Sequence, residues 1–160
     1  MKVKSRHHLR ADAVAKIRDT MAEQLDIELP DASFELVEFD DVEYDVVLID
    51  GSPDVFYLEE NVPFLTVRGA NTYEPSSHVV TVDAGAVAFL SNGADVMRPG
   101  IVEADADIAA GDLVVINEET HGKFLAVGRA RVDGTELLGD DGKVVDTIHY
   151  VGDELYEWTL

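Results

Sequence analysis

Short apolar segments separated by closely spaced turn signals are the feature that most restricts how this chain can fold. In the second half they cover residues 78–82, 96–97, 101–103, 113–116, 124–131 and 144–150. Turn-forming pairs such as Asp133-Gly134 and Asp141-Gly142 lie between them, and short strands joined by such turns are typical of a small closed or nearly closed barrel. We therefore predict a mostly β pseudo-barrel with one short helix.

The first half of the chain carries a different pattern, in which one helix precedes a set of strands. Apolar residues Val14, Ile17, Met21 and Leu25 recur at helical spacing, which predicts one buried face of an amphipathic helix. Strands are predicted over residues 33–39, 42–49, 55–58 and 63–67. The Asp50-Gly51 pair supplies the positive φ of a hairpin turn. We therefore predict an α+β N-terminal domain, with a helix and an antiparallel sheet.

The boundary between the two halves is predicted within residues 69–77. This segment is rich in glycine, asparagine, proline and serine, which is typical of a loop. We therefore expect two domains, the first over residues 1–73 and the second over residues 76–158.

The segment GADVMRPGI, residues 93–101, follows a predicted short helix over residues 83–92 and is the main candidate for a functional site. Gly93 and Gly100 lack side chains, so a large ligand can approach the main chain at both points. Pro99 fixes its own φ and forces a bend. These features together predict a surface on which the backbone is accessible.

One cation lies in this segment and needs an explanation. Arg98 is the only formal cation between Arg68 and Lys123. A ligand is one explanation. On pattern alone, however, a helix C-cap followed by an ordinary strand turn is the more common origin of such a segment, and both interpretations stay open.

The charge is strongly acidic, since 33 acidic and 12 basic residues give −21 at pH 7. The first 18 residues nevertheless carry +5, so the other 142 carry −26. Acidic pairs spread over the body are typical of a halophilic protein, and at about 1 M salt the screening length is only about 3 Å. The acidity therefore does not exclude RNA. The basic N-terminus is either a solvated, partly frayed tail or a functional segment.

Several classes of function are disfavoured by the sequence. Without cysteine there is no disulfide, thiolate metal site or thiol nucleophile. No serine lies in a nucleophile elbow, no glycine-rich phosphate loop is present, and the histidines lack metal-ligand spacing. His149 is predicted to be a structural hydrogen-bonding residue. The apolar runs are too short to cross a bilayer, so we expect a cytoplasmic protein. Because the catalytic and metal-binding motifs named above are missing, we expect a binding protein that is not an enzyme and has no metal or cofactor.

Residues 78–101, HVVTVDAGAVAFLSNGADVMRPGI, resemble the opening of the PUA domain, the RNA-binding module named after pseudouridine synthase and archaeosine transglycosylase. That module typically begins with a strand, an acidic-Gly-Ala helix start, a Gly-Ala pair and a Pro-Gly-Ile turn. The corresponding residues here are Asp83, Gly85, Ala86, Gly93, Ala94, Pro99, Gly100 and Ile101. Residues 110–116 and 125–130 are similar to its later strands.

The chain as a whole resembles the translation-associated family known as malignant T-cell amplified sequence, whose relatives include the N-terminal half of ligatin. Members close with an Ile-His-Tyr triplet, a short acidic turn and an aromatic-rich strand. Here these are Ile148, His149, Tyr150, Asp153, Tyr156 and Trp158. The resemblance covers residues 78–158 in sequence and residues 1–73 in organisation only, and it implies an archaeal member from a halophile.

The resemblance implies an RNA-binding protein that acts on tRNA or small-subunit rRNA in translation initiation or ribosome recycling. Its implied partners are RNA, the small ribosomal subunit and a separate initiation-factor-like protein, with no membrane. The implied RNA-binding residues are Gly85, Gly93, Ala94, Asp95, Arg98, Pro99, Gly100, Lys123, Arg129 and Arg131. Arg129 is equally consistent with a position inside the barrel, paired with a carboxylate.

Two alternatives remain from the sequence. The chain is also consistent with an accessory RNA-binding subunit of a tRNA or rRNA modification complex. The other alternative is a protein-interaction module without RNA binding, which docks through Tyr150, Tyr156 and Trp158. Convergence of the cations Arg98, Lys123, Arg129 and Arg131 on one face near Gly93 favours RNA, whereas scattered or ion-paired cations favour protein interaction.

Overall fold

The computed structural model describes all 160 residues, which form two sheets and four α-helices. The first sheet contains β1 (Val3–His8), β2 (Phe34–Phe39), β3 (Asp45–Ile49), β4 (Ser52–Glu59) and β5 (Val62–Leu65). Neighbouring strands follow chain order and are antiparallel. Helix α1 (Ala11–Leu25) buries Ile17, Met21 and Leu25, so the predicted α+β N-terminal half is confirmed.

Two local features of the first sheet can be compared with the sequence. The predicted hairpin is confirmed, because β3 and β4 pair through a turn in which Asp50 has a φ of 48° and Gly51 a φ of 83°. The expectation that the basic N-terminus is a frayed tail is wrong for most of its residues. Its residues form β1, an edge strand that pairs with β2 on one side only.

The predicted loop over residues 69–77 is partly wrong, because its first residues form helix α2 (Val67–Tyr73). The hydroxyl of Thr66 caps this helix by accepting the N–H of Gly69 at 3.1 Å. A methyl group on Gly69 would lie 2.0 Å from the carbonyl oxygen of Asp54. The glycine that suggested a loop is therefore needed because α2 packs directly on the backbone of β4.

The second sheet contains β6 (Val79–Val82), β7 (Val96–Met97), β8 (Ile101–Ala104), β9 (Leu113–Glu118), β10 (Phe124–Ala130) and β11 (Lys143–Tyr150). Their order across the sheet is β7-β11-β10-β9-β6-β8, and β6 runs parallel to β9. The single 3₁₀ turn Arg98–Gly100 joins the edge strands β7 and β8. Because consecutive residues connect the two edges, the sheet curves into the nearly closed pseudo-barrel that the turn pattern predicted.

A short helical segment lies beside these joined edges. The 3₁₀ turn Ala84–Ala86 leads into helix α3 (Val87–Leu90). The carboxylate of Asp83 accepts the N–H of Ala86 at 3.1 Å and so caps the segment. The helix predicted over residues 83–92 is confirmed in place but is shorter.

The two sheets share a buried core. Leu113, Val115, Phe124 and Val127 of the barrel belong to the same cluster as the apolar side chains of the first sheet. A second cluster fills the barrel itself. The domain boundary stays a prediction, since side chains from both halves bury each other.

The C-terminal segment returns to the first sheet. The aromatic-rich strand expected after the acidic turn is wrong, because Glu154–Glu157 form helix α4, capped where Asp153 accepts the N–H of Tyr156 at 2.8 Å. Trp158 packs edge-on against Phe39 with ring centroids 5.2 Å apart. None of the helices is long and apolar enough to cross a membrane.

His149 joins the elements that meet between the two sheets, and its side chain is 2% exposed. Its Nε2 accepts the N–H of Val67, the first residue of α2, at 3.1 Å. Its Nδ1 therefore carries the proton and donates to Asp153 at 2.8 Å. Burial raises the pKa of Asp153, but the hydrogen bonds from His149 and from two backbone N–H groups outweigh it and lower that pKa overall. The predicted structural role of His149 is confirmed.

Replacing His149 with leucine leaves the Val67 N–H without a partner and removes one donor from the Asp153 carboxylate, which keeps the N–H groups of Tyr150 and Tyr156. We expect the free energy of unfolding to fall by about 2–4 kcal/mol, since a buried polar group left unpaired costs about 1–3 kcal/mol and a hydrogen bond to a charged group contributes about 1.5–3 kcal/mol. Urea titration followed by circular dichroism measures the change. His121→Leu, at an exposed turn, is the control and should shift stability by less than about 0.5 kcal/mol. A His149→Leu protein as stable as the control contradicts this role.

Candidate functional site

An apolar groove of about 390 Å³ lies beside α3, where the barrel edges β7 and β8 meet. Two of its side chains are unusually open for their size, since Phe89 is 67% exposed and Met97 is 47% exposed. Five of the predicted RNA-binding residues line this groove: Gly85, Ala94, Asp95, Pro99 and Gly100. The structure therefore brings half of the predicted set together on one concave surface.

Gly93 has a different role from the one its sequence context suggested. It ends α3 with a φ of 82°, its N–H donates to Leu90, and the N–H of Ala94 donates to Phe89. This is a glycine C-cap, so the common structural interpretation of the pattern is confirmed. A methyl group here would lie 2.8 Å from the ring of Tyr150. The expected open approach at Gly93 is therefore wrong on that side, because Tyr150 fills the space.

Gly100 has open space in the direction where Gly93 meets Tyr150. The nearest atom to a methyl group added there is the side chain of Ala86, at 3.6 Å. Gly100 also lies in the groove lining. The backbone therefore remains open at the Pro99-Gly100 turn.

Asp95 is held by strand β11 and fixes one wall of the groove. Its Oδ1 accepts the N–H of Thr147 at 2.8 Å, and its Oδ2 lies 3.0 Å from Nζ of Lys143. These contacts, the backbone hydrogen bond first, lower the pKa of Asp95. The Thr147 hydroxyl also donates to the carbonyl of Ala94 at 2.9 Å. The role of Lys143 was not visible in the sequence, since no local spacing relates it to Asp95.

Arg98 holds a neighbouring loop and does not line the groove. Its Nε donates to the carbonyl of Glu136 at 2.9 Å, and an Nη donates to the carbonyl of Asp141 at 3.1 Å. Methyl groups on Gly139 or Gly142 would lie within 3.0 Å of its side chain. The isolated cation therefore has a structural explanation, and its contact with RNA stays a prediction.

The other predicted cations lie outside the groove lining. Arg131 makes a two-point ion pair with Asp146 at 2.6–3.0 Å. Arg129 donates to the Gly111 carbonyl at 2.8 Å and lies 3.4 Å from Glu59 of β4. The Arg129 side chain is 38% exposed, so it lies outside the barrel interior and pairs with the N-terminal half. Lys123 is exposed. Of the four cations, Arg98, Arg129 and Arg131 are thus bound by oxygens of the chain, although Arg131 lies near enough to Asp95 to help lower the pKa of that carboxylate.

The three aromatic residues proposed for protein docking are used within the chain. Tyr150 packs against Gly93. The backbone carbonyl of Tyr156 accepts hydrogen bonds from two N–H groups of Arg68. The Arg68 guanidinium also lies over the Tyr156 ring, 4.9 Å from the ring centroid. Trp158 packs on Phe39, so Tyr150 contacts the barrel, Tyr156 contacts α2 and Trp158 contacts the first sheet, and docking of a partner through these residues stays a prediction.

Comparison with known proteins agrees with this architecture. Residues 78–151 match the model of the PUA domain. A solved structure of a conserved PUA domain protein from Thermoplasma acidophilum is 32% identical, with a TM-score of 0.83 over 95% of this chain and 97% of that one. The barrel with its preceding helix-and-sheet half thus defines a PUA-domain protein.

Relatives identify the family more closely. The uncharacterized protein MJ1432 of Methanocaldococcus jannaschii is 35% identical over 99% of both chains. Translation machinery-associated protein 20 of Saccharomyces cerevisiae is 29% identical over 81% of this chain and 74% of its own length. The Malignant T-cell-amplified sequence 1 homolog of Drosophila melanogaster is 30% identical over 69% of this chain. The chain belongs to this family of PUA-domain proteins, and the resemblance seen in the sequence is confirmed.

Two separate variants, Gly93→Ala and Gly111→Ala, distinguish the cost of backbone strain from the cost of a collision with a neighbouring side chain. Both glycines have a similar positive φ, 82° and 93°, but only Gly93 faces a ring, since a methyl group at Gly111 meets no atom within 4 Å. We expect both substitutions to cost about 1–2 kcal/mol through strain, and Gly93→Ala about 1–3 kcal/mol more through displacement of Tyr150. Equal losses of unfolding free energy in urea would show that Tyr150 does not depend on Gly93.

Proposed function

We propose that this chain is an RNA-binding protein of the translation machinery, which binds tRNA or small-subunit rRNA through the groove beside α3. One observation carries the proposal: a concave apolar surface with Phe89 and Met97 exposed lies in the PUA domain of a family whose members include translation machinery-associated proteins. A large exposed aromatic in a groove is a site for stacking an unpaired base.

The groove favours short-range contacts with RNA, namely base stacking and hydrogen bonds to the backbone, over attraction by charge. Of its two carboxylates, Asp95 is paired with Lys143, whereas Asp83 accepts only the N–H of Ala86 and keeps its negative charge. No cation lines it. Affinity there therefore comes from stacking and from the open backbone at Gly85 and Gly100.

The predicted cations contribute less to RNA binding in this mechanism than the groove does. Arg131 is paired with Asp146 and Arg129 with Glu59, so a carboxylate offsets part of the attraction of each arginine for a phosphate, although each keeps unused N–H donors. Arg98 has further donors besides the two that hold its loop. We assign the first contact to the groove and phosphate contacts to Arg98, Lys123, Arg129 and Arg131.

The names of the relatives support a context in translation. We propose initiation or ribosome recycling on the small ribosomal subunit, in the cytoplasm, with a separate initiation-factor-like protein as partner. The chain acts as a binding protein and catalyses no reaction.

A protein-interaction function is the second candidate, and two observations favour it. The exposed Phe89 and Met97 also suit an apolar partner surface, and most cations of the barrel are paired internally. RNA is the better candidate because the exposed aromatic side chain lies in a groove of a PUA domain. The binding experiment below distinguishes the two.

We also propose that the protein is adapted to high salt, as in a halophilic archaeon. The −26 carried outside the first 18 residues repels itself at low salt. We expect Tm to rise when KCl increases from about 0.1 M to about 1 M, because the screening length falls from about 10 Å to about 3 Å. Scanning calorimetry measures it, with NaCl as the ion control. A Tm that is flat or falls over this range contradicts the adaptation.

Substitution of the groove aromatic tests the RNA assignment. We expect Phe89→Ala to weaken binding of a fluorescent tRNA by about 5- to 150-fold, since base stacking on an aromatic is worth about 1–3 kcal/mol. Met97→Ala should have a smaller effect in the same direction. Leu138→Ala is the control, because Leu138 is 50% exposed and lies outside the groove.

The outcomes separate the candidates. Binding of tRNA and rRNA fragments that is unaffected by Phe89→Ala removes the groove as the RNA site. Absence of RNA binding, together with loss of a co-purifying protein in Phe89→Ala, establishes the protein-interaction function in its place.

A further inference from the structure

The positive charge that the chain leaves free is concentrated away from the groove. In the second half, the side chains of Arg98, Arg129, Arg131 and Lys143 all bind carbonyl or carboxylate oxygens. Arg68 is bound to the carbonyl of Tyr156. Lys123 is the one lysine or arginine of that half without such a contact.

The N-terminal segment has the opposite character. The side chains of Lys2, Lys4 and Lys16 are exposed and make no ion pair or hydrogen bond. Arg10 is 88% exposed and has only a 3.5 Å contact with Asp12. Four of the five free or nearly free cations therefore lie within the first 18 residues, where the net charge is +5 against −26 elsewhere.

These cations stand on ordered structure. Lys4 lies in β1, Lys16 lies in α1, and Arg10 connects the two elements. β1 is the outermost strand of its sheet and has no strand on its outer side. Its outer backbone N–H groups are therefore available beside the lysines, and backbone N–H groups as well as cationic side chains contact phosphates.

We propose that β1 and the start of α1 form a second RNA contact surface, the N-terminal basic edge, which binds the phosphate backbone while the groove holds a base. The inference rests on the proposed function and divides its affinity into two parts. The groove supplies a contact that changes little with salt. The basic edge supplies the salt-dependent part, because each phosphate that it neutralises releases a counterion. RNA is favoured over an acidic protein because the chain carries a PUA domain, for which RNA is the proposed ligand, and because free cations beside open backbone N–H groups suit phosphates.

The test is the salt dependence of RNA binding by the full chain, measured by fluorescence anisotropy with a tRNA and with an unstructured oligonucleotide. The variants are Lys4→Gln, Lys16→Gln and the triple variant with Arg10→Gln, and Leu138→Ala, at an exposed side chain outside the groove and the basic edge, is the control. None of these side chains has a strong partner, so the fold should persist, as circular dichroism checks. We expect each single N-terminal variant to lower the slope of log K against log salt by about 0.9 on duplex and about 0.7 on single-stranded RNA.

The triple variant should lower the slope by about 2–3 and lose affinity mainly at low salt. Phe89→Ala should lose affinity at all salt concentrations with its slope unchanged. Unchanged slopes in the N-terminal variants, with RNA still bound, overturn the basic edge and leave the groove assignment intact. A slope change as large in Leu138→Ala as in Lys4→Gln also overturns it. Binding of acidic protein or of a second copy by this edge, with no effect of the triple variant on RNA, has the same consequence. Absence of RNA binding by the wild-type chain instead overturns the proposed function.

Discussion

The contact of His149 with Val67 and Asp153 is the interaction on which the relation between the two halves depends. It joins the last barrel strand, the first residue of α2 and the cap of α4 through one buried ring. The ring works in one tautomer only, because Nε2 accepts and Nδ1 donates. Around it, apolar side chains of both sheets form a single cluster. This buried polar contact and the shared core, together with two hydrogen bonds between the Asn71 side chain and the backbone of Phe124, fix the sheet that carries the basic edge to the barrel that carries the groove.

The acidic composition determines how such a protein can bind RNA. Nearly every cation of the barrel is held by an oxygen of its own chain, so the PUA half presents no broad positive field. Stacking on Phe89 does not require one. The free cations at the N-terminal edge supply charge attraction that the groove lacks. Short-range contact in the groove and charge attraction at the edge are the two components of the proposed binding.

Much of the fold could be predicted because it depends on local pattern. The spacing of Val14, Ile17, Met21 and Leu25, the Asp50-Gly51 hairpin and the turn-separated strands of the barrel required no knowledge of distant neighbours. What failed depends on tertiary contact. Gly69 suggested a loop, but it is needed where α2 meets Asp54, and Gly93 suggested access, but it is needed by Tyr150. The partners of Arg98 lie 38 and 43 residues away in the chain, and no spacing rule reaches them.

Photocrosslinking tests the central claim most directly, namely that the groove beside α3 is the RNA site. The full chain is irradiated with uridine-containing tRNA at about 1 M KCl, where the screening length of about 3 Å suppresses diffuse attraction, and the crosslinked peptides are mapped by mass spectrometry. The proposed mechanism predicts crosslinks at Phe89 and at the Met97 to Gly100 turn, with few on β1. Crosslinks confined to other surfaces, or no recovered RNA, contradict it.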